Sequence, residues 1–382
     1  MIIHICIDSI FNGYIIDHFE KVNKGKNRYI IISEDKELFF KREKEIEIFN
    51  KNEVLLLLKR EKYFIIHSLL KKEPIWFASQ FYAQHKVAWF SWGGDIPVSN
   101  VEINYEPLSL IEFKKDQKKI TIKDRLYGLL ALLPFVNKWY YFFRVGEHHP
   151  KYQKEKALSN IDLFSTVLPA EKKDVESLVY FRAKYMWFNY GTLNYIMGDF
   201  FGANVPLKKG VFVGHSGYFE SNHLDSFEII NQMKLGMEIY CPLAYGNNHC
   251  IQIIMERGLE LFGEKINFQR EVLDQSAYVK LLTSNHILIM NTIQQQGVGN
   301  LLICIYLGMK VFLNPKGYLF EFCTSLGLKV YNLKEDFTEI EIEHFLERNY
   351  VIHNREILEK VYSEDDVEKR TKLIIEELKT LK

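Results

Sequence analysis

Short, wholly apolar runs recur along this chain, each about the length of a strand, and the segments between them have the length of helices. In the first half Ile2–Ile7, Tyr29–Ser33, Phe64–His67 and Val87–Trp92 predict buried strands, with helices over Tyr14–Val22 and Ile75–Gln84. The run Val54–Leu58 is too short to assign by itself. The second half repeats the pattern. Val211–Val213, Met237–Pro242, Phe268–Leu273, His286–Met290 and Val311–Leu313 predict strands. Helices are expected after the capping sequence Ser221-Asn222-His223, from Asn248 to Phe262, over Ser276–Leu282 and over Leu301–Leu307. Continuous apolar runs, rather than apolar–polar alternation, mark strands covered on both faces, as in a parallel sheet flanked by helices. The expected class is therefore α/β, with two such layers. The break Asn204-Val205-Pro206 sets the expected boundary, giving domains 1–205 and 206–350 and a Glu/Lys-rich helical tail over 351–382.

Three predicted strand ends in the second half run into small or polar residues: Gly214-His215-Ser216-Gly217, Ala244-Tyr245-Gly246-Asn247-Asn248, and Gln294-Gln295-Gln296-Gly297-Val298-Gly299-Asn300. In a parallel sheet such loops gather along one edge, the edge where ligands bind. Glycines let the backbone approach a ligand, and free N–H groups at the start of the helix Leu301–Leu307 favour an anion. A nucleoside diphosphate suits that edge; an ordinary tight turn explains any one loop equally well. Tyr245 either stacks on a base or packs in the core. His215 is either a phosphate or sugar donor group or simply a loop residue.

The first half carries its own sharp turn, Trp92-Gly93-Gly94-Asp95. A carboxylate just past a buried strand can project into a cleft and take a proton from a hydroxyl nucleophile. The alternative is that Asp95 caps the turn. Composition changes the picture in one place. The chain has no net charge, yet residues 114–156 hold eleven Lys or Arg against four Asp or Glu. The stretch encloses the apolar run Leu126–Val136 and Trp139-Tyr140-Tyr141-Phe142-Phe143. That run is too short to span a bilayer, and Gly128 and Pro134 interrupt it. Aromatic rings flanked by basic residues suit the surface of an anionic membrane, with Lys123, Arg125, Trp139 and Arg144 expected to face lipid or acceptor; the alternative is a buried helix pair with solvated ends. The overall charge balance gives no pull toward nucleic acid. Cys6, Cys241, Cys250, Cys304 and Cys323 form no CxxC pair, so buried reduced thiols are expected rather than a metal site. No signal peptide and no transmembrane helix are expected.

The loop residues resemble one family. Val213-Gly214-His215-Ser216-Gly217 with Ser221-Asn222-His223, the segment Pro242…Tyr245…Asn247-Asn248, the segment Gln295-Gln296-Gly297-Val298-Gly299…Leu301…Asn314, and the Trp92–Asp95 turn are similar to motifs of glycosyltransferase family 56. These bacterial enzymes add 4-acetamido-4,6-dideoxygalactose to a lipid-linked saccharide of enterobacterial common antigen. The likeness is patchy before residue 85 and good from about 205 to 315. His215 departs from the Asn usual in the family, the loop before Ser221 is one residue longer, and Ile293 or Gln294 stands where an Arg commonly precedes the Gln pair.

The resemblance implies a GT-B architecture, two Rossmann-like domains facing across a cleft, with the last helix packing back on the N-terminal domain. It implies a dTDP-sugar donor in the C-terminal domain, held by Gly214, His215, Ser216, Gly217, Tyr245, Asn247, Gln295, Gln296, Gly297, Gly299 and Asn300. It also implies an undecaprenyl-diphosphate saccharide acceptor at the inner face of the bacterial inner membrane, with Asp95 acting on the acceptor hydroxyl. No metal and no cofactor are expected. Two other readings are a nucleotide-sugar epimerase of similar fold and a non-catalytic membrane-associated binding module.

Overall fold

The structure, a computed structural model, describes residues 1–9, 11–34, 45–96, 101–117, 150–234 and 236–381. It divides into two units: Met1–Val98, Lys119–Gly191 and Asp365–Lys382 form the first, Ser99–Lys118 and Thr192–Glu364 the second. Lys123, Arg125, Trp139 and Arg144, expected at a membrane or acceptor, lie outside the described residues.

The first unit holds seven parallel strands: β1 (Ile2–Cys6), β2 (Asn27–Ile32), β3 (Ile46–Phe49), β4 (Tyr63–His67), β5 (Lys86–Phe90), β6 (Leu163–Ser165) and β7 (Lys184–Tyr185). Their order is β3-β2-β1-β4-β5-β6-β7. β1, β4 and β5 are buried along most of their length, which is why they read as unbroken apolar runs. β3 was not expected; its sequence IEIF alternates and exposes Glu47. The unassigned run at Val54 belongs to a helix, Lys51–Leu57. Asn50 accepts from the Asn52 and Glu53 amides there, and the Glu53 side chain returns a bond to the Asn50 N–H.

The second unit holds β8 (Val211–Val213), β9 (Ile239–Pro242), β10 (Ile266–Gln269), β11 (Ile287–Met290), β12 (Lys310–Leu313) and β13 (Tyr331–Asn332), all parallel, in the order β10-β9-β8-β11-β12-β13. This is the 3-2-1-4-5-6 order of a dinucleotide-binding sheet, and the first unit begins with the same order. Its core packs Val211, Val213, Phe227, Ile254, Ile289 and Phe312. The helix Val298–Leu307 between β11 and β12 is buried at eight of its ten positions, among them every residue from Leu301 to Leu307.

The chain enters the second unit between Gly191 and Thr192, upstream of the expected break at Pro206. The short helix Leu193–Met197 is already tied down there: Leu193 N–H donates to Tyr362 O at 2.9 Å and Gln275 Nε2 to Ile196 O at 2.7 Å. The tail is likewise two pieces. Helix Arg348–Val361 belongs to the second unit, and helix Glu364–Thr380 to the first, where Ile374, Ile375 and Leu378 pack with Ile15, Ile16 and Phe19.

Candidate functional site

In a sheet of this order the binding crevice opens where the strand order reverses, between the carboxyl ends of β8 and β11. The loops there are joined by hydrogen bonds. Gly214 N–H donates to Ile289 O at 2.8 Å, tying the loop after β8 to β11. Gly217 N–H donates to Tyr245 O at 2.8 Å and Asn247 N–H to Gly217 O at 3.0 Å, so the loops after β8 and β9 are zipped together. A Cβ at Gly246 would fall 2.4 Å from Gly217 O, so this close approach needs glycine. The loop after β11 folds over the first: a Cβ at Gly297 would lie 2.8 Å from Cγ of His215. Turns eighty residues apart in sequence thus meet at one rim of one sheet.

The side chains at this rim fall into two groups. Some already have protein partners. Asn247 accepts from Cys250 N–H at 3.0 Å and caps the helix Asn248–Phe262. The Ser216 hydroxyl lies 3.0 Å from His215 Nε2 and 3.4 Å from the Ser221 hydroxyl. Others carry buried polar atoms with no protein partner: Nδ1 of His215, Nδ2 of Asn291, Oγ1 of Thr292, and Oε1 of Gln295 and Gln296. Leaving such groups unpaired is costly, and native folds rarely do so without a reason. Four of these residues lie on the loop that leads from β11 into the helix Val298–Leu307, and His215 meets that loop at Gly297. That start is capped by Gly297 in the left-handed conformation (φ 65°), and no side chain caps its first N–H groups. Unsatisfied N–H groups at a helix start carry about half a positive charge. Gly299 differs from Gly297, because a Cβ there would meet nothing within 4 Å. Tyr245 is about half exposed (53%) beside the rim, as is Tyr218 (43%).

Burial holds His215 down at about 4, so the ring is neutral at pH 7 and offers a hydrogen bond rather than a positive charge. The polar groups that the rim offers are thus N–H dipoles and neutral side chains. Among the described residues no group of three His, Cys, Asp or Glu side chains gathers as a metal site would require.

Asp95 does not project into open space. It is 1% exposed, and its two oxygens accept four hydrogen bonds: Leu69 N–H at 2.6 Å and Trp89 Nε1 at 3.0 Å on one, Ser91 Oγ at 2.6 Å and Trp92 N–H at 2.9 Å on the other. A carboxylate so occupied has no lone pair left for a substrate proton. It clamps the end of β4 to the turn after β5, next to Ser68, which is held at φ 78°. These four bonds are those of the capping alternative. Sequence reasoning also missed Asn291 and Thr292, which directly follow β11. The apolar-run signal ends at Met290, and only their place at the switch point would have singled them out.

Two Rossmann-type parallel sheets define the class: the fold is that of the GT-B glycosyltransferases. Residues 170–359, which include every rim loop described above, match the family described as 4-alpha-L-fucosyltransferase glycosyl transferase group 56. Through that region the chain is similar to glycosyltransferase group 56. Among solved structures it is similar to the E. coli trehalose-6-phosphate structure bound with UDP-2-fluoro glucose (TM-score 0.63, 9% identity, covering 100% of this chain and 99% of that one). It is also similar to the sucrose-phosphate synthase of Thermosynechococcus elongatus (TM-score 0.62, 9% identity, 99% and 98%). A third similar structure is Anabaena HepE in complex with UDP and glucose (TM-score 0.58, 12% identity, 100% and 99%). At these identities the likeness is one of fold.

Proposed function

We propose that this glycosyltransferase takes a sugar from a nucleoside-diphosphate donor held at the β8/β11 rim and passes it to a hydroxyl of a lipid-linked saccharide. The observation that carries the reading is the set of buried, unpartnered polar atoms on His215, Asn291, Thr292, Gln295 and Gln296, on the loops that lead to an uncapped helix start. The diphosphate is the chemistry such a set fits: several oxygens, negative charge, and no need for a cationic side chain. Fold relatives that hold UDP-2-fluoro glucose or UDP and glucose support the donor class. The family description supports a deoxyhexose as the sugar, and the motif resemblance favours dTDP as its carrier.

In this reading the N–H groups of Val298, Gly299 and Asn300, with the amides of Gln295 and Gln296, stabilise the charge that grows on the leaving diphosphate. A divalent cation is then dispensable. Ser216 and Gly217 hold the other side of the diphosphate, and Tyr245 stacks on the base. Asp95 serves the fold of its turn and takes no part in proton transfer. The basic and aromatic composition of 114–156 supports attraction to anionic lipid, and with it a place at the cytoplasmic face of the inner membrane. No helix among the described residues is long and apolar enough to cross a membrane.

The test is to incubate the protein with dTDP- and UDP-linked sugars, with and without an undecaprenyl-diphosphate saccharide, in the presence of a metal chelator. Release of nucleoside diphosphate only when acceptor is present is the expected result. Conversion of donor alone would make the protein an epimerase, and absence of both turnover and nucleotide binding would make it a binding module.

A further inference from the structure

One polar chain runs away from the rim, only its last member, Asn291, has entered the donor reading so far, and its donor and acceptor roles are forced from one end to the other. It starts at Lys334, whose ammonium donates to both oxygens of Glu106, at 2.8 and 2.9 Å. Glu106 comes from the segment Ser99–Lys118, far away in sequence, and is 8% exposed. Burial pushes its carboxyl up, but the bonds from Lys334 and Asn314 outweigh that and hold it below the ordinary carboxylate value, so it is an ionised acceptor. Asn314 must therefore turn its Nδ2 toward Glu106, and it does so at 2.8 Å. Its Oδ1 agrees, accepting from Lys316 N–H at 3.0 Å. The other hydrogen on Asn314 Nδ2 goes to Asn291 at 2.8 Å, which forces Asn291 to present Oδ1 there. Asn222 fixes the backbone alongside: it accepts from Glu106 N–H at 2.9 Å and donates to Asn291 O at 2.9 Å. What remains is Nδ2 of Asn291, two N–H donors on a residue 1% exposed, with no protein partner, at the carboxyl end of the central strand β11.

We propose that Asn291 is a donor-binding residue whose Nδ2 hydrogen-bonds an oxygen of the nucleoside diphosphate, and that Glu106, held by Lys334 and acting through Asn314, is the positioning residue that aims it. The inference rests on the donor-site reading above. Its consequence is that a segment inserted between β5 and β6 sets the geometry of a site built on β8 and β11. Without the carboxylate, Asn314 can rotate end for end, and Asn291 can then present its oxygen, a repelling acceptor, to the diphosphate.

The experiment is calorimetric titration of the full chain with dTDP, UDP and GDP, carrying forward whichever binds the wild type tightest, alongside the unliganded melting temperature. N291A should lose about tenfold in affinity, the worth of one hydrogen bond to a charged group. N291D keeps the acceptor for Asn314 but replaces both N–H donors by a carboxylate oxygen, so it should lose more than N291A. E106Q should also weaken binding several-fold, and E106D, which keeps the charge, should lose less. A residue serving only the fold would instead lower the melting temperature and leave the affinity of the folded protein unchanged. Wild-type affinity in N291D, or equal affinities for E106Q and wild type, would overturn the inference while leaving the donor site in place. Failure of the wild type to bind any of the three nucleotides would remove both.

Discussion

Gly297 and Gly299 stand two residues apart and ask different things of the backbone. Gly297 sits at φ 65°, and a Cβ would crowd Met290 Cε at 2.7 Å and His215 Cγ at 2.8 Å. Gly297→Ala should destabilise the fold by about 1–3 kcal/mol, read from the midpoint of a urea titration. Gly299 lies in the first turn of its helix with open space around it. Gly299→Ala should be neutral or stabilising by up to about 1 kcal/mol, so any loss of donor affinity there reports a ligand rather than the fold. Asp95 makes the complementary case. Because its oxygens accept four bonds in the interior, Asp95→Ala should cost about 3–5 kcal/mol. Turnover measured well below the melting temperature should then fall only with the folded fraction; loss of turnover in a fully folded variant would return Asp95 to the chemistry. The sequence shows the carboxylate and its glycines. It does not show that Leu69 and the Trp89 indole arrive from elsewhere to consume the carboxylate.

The elements that were legible are those whose burial is continuous. β1, β8, β11 and β12 are apolar throughout or nearly so, and the helix Val298–Leu307 was placed to within a few residues for the same reason. β3 was lost because an edge strand exposes one face and so lacks that signature. The segment Ser99–Lys118 was assigned to the wrong unit because nothing local reveals its partners. Its helix, Pro107–Gln117, is started by a residue over a hundred positions away: Asp225 accepts from Leu108 N–H at 2.9 Å, Ser109 N–H at 3.0 Å and Ser109 Oγ at 2.7 Å. An acidic cap on free N–H groups contributes about 1 kcal/mol. Asp225→Ala should therefore speed amide hydrogen exchange over 107–117 while leaving β8 and β11 protected; unchanged exchange in that helix would contradict the capping role. The rim was legible as three loops of the right composition. Its unpartnered atoms were not, because Asn291 and Thr292 owe their place to strand order, which no run of residues spells out.

Taken as a whole, the molecule buries an unusual set of neutral histidines. Burial is the first cause lowering His4 to about 3, His223 to about 3 and His215 to about 4, and it lowers His67, His18 and His286 as well. Unfolded, these rings take up protons near pH 6.5; folded, all resist to lower pH, and His4, His67, His215 and His223 to much lower pH. Below pH 6.5 the unfolded state thus binds more protons, and each such ring removes about 1.4 kcal/mol of stability per pH unit until its folded value is reached. Glu171, pushed by burial to about 8, works in the opposite sense between the ordinary carboxylate value and 8, but it is one group against six. Stability should accordingly drop steeply from pH 7 to pH 5, seen as a lower urea midpoint; an equal or higher midpoint at pH 5 would show that these rings protonate in place. The proposed diphosphate site at the β8/β11 rim is the claim on which the function depends. The most direct measurement is hydrogen exchange on the full chain with and without saturating dTDP, or UDP should it bind tighter. Protection confined to residues 214–217, 245–247 and 291–300 is the predicted result. Nucleotide binding that leaves those three loops unprotected, or protects the first unit instead, would contradict it.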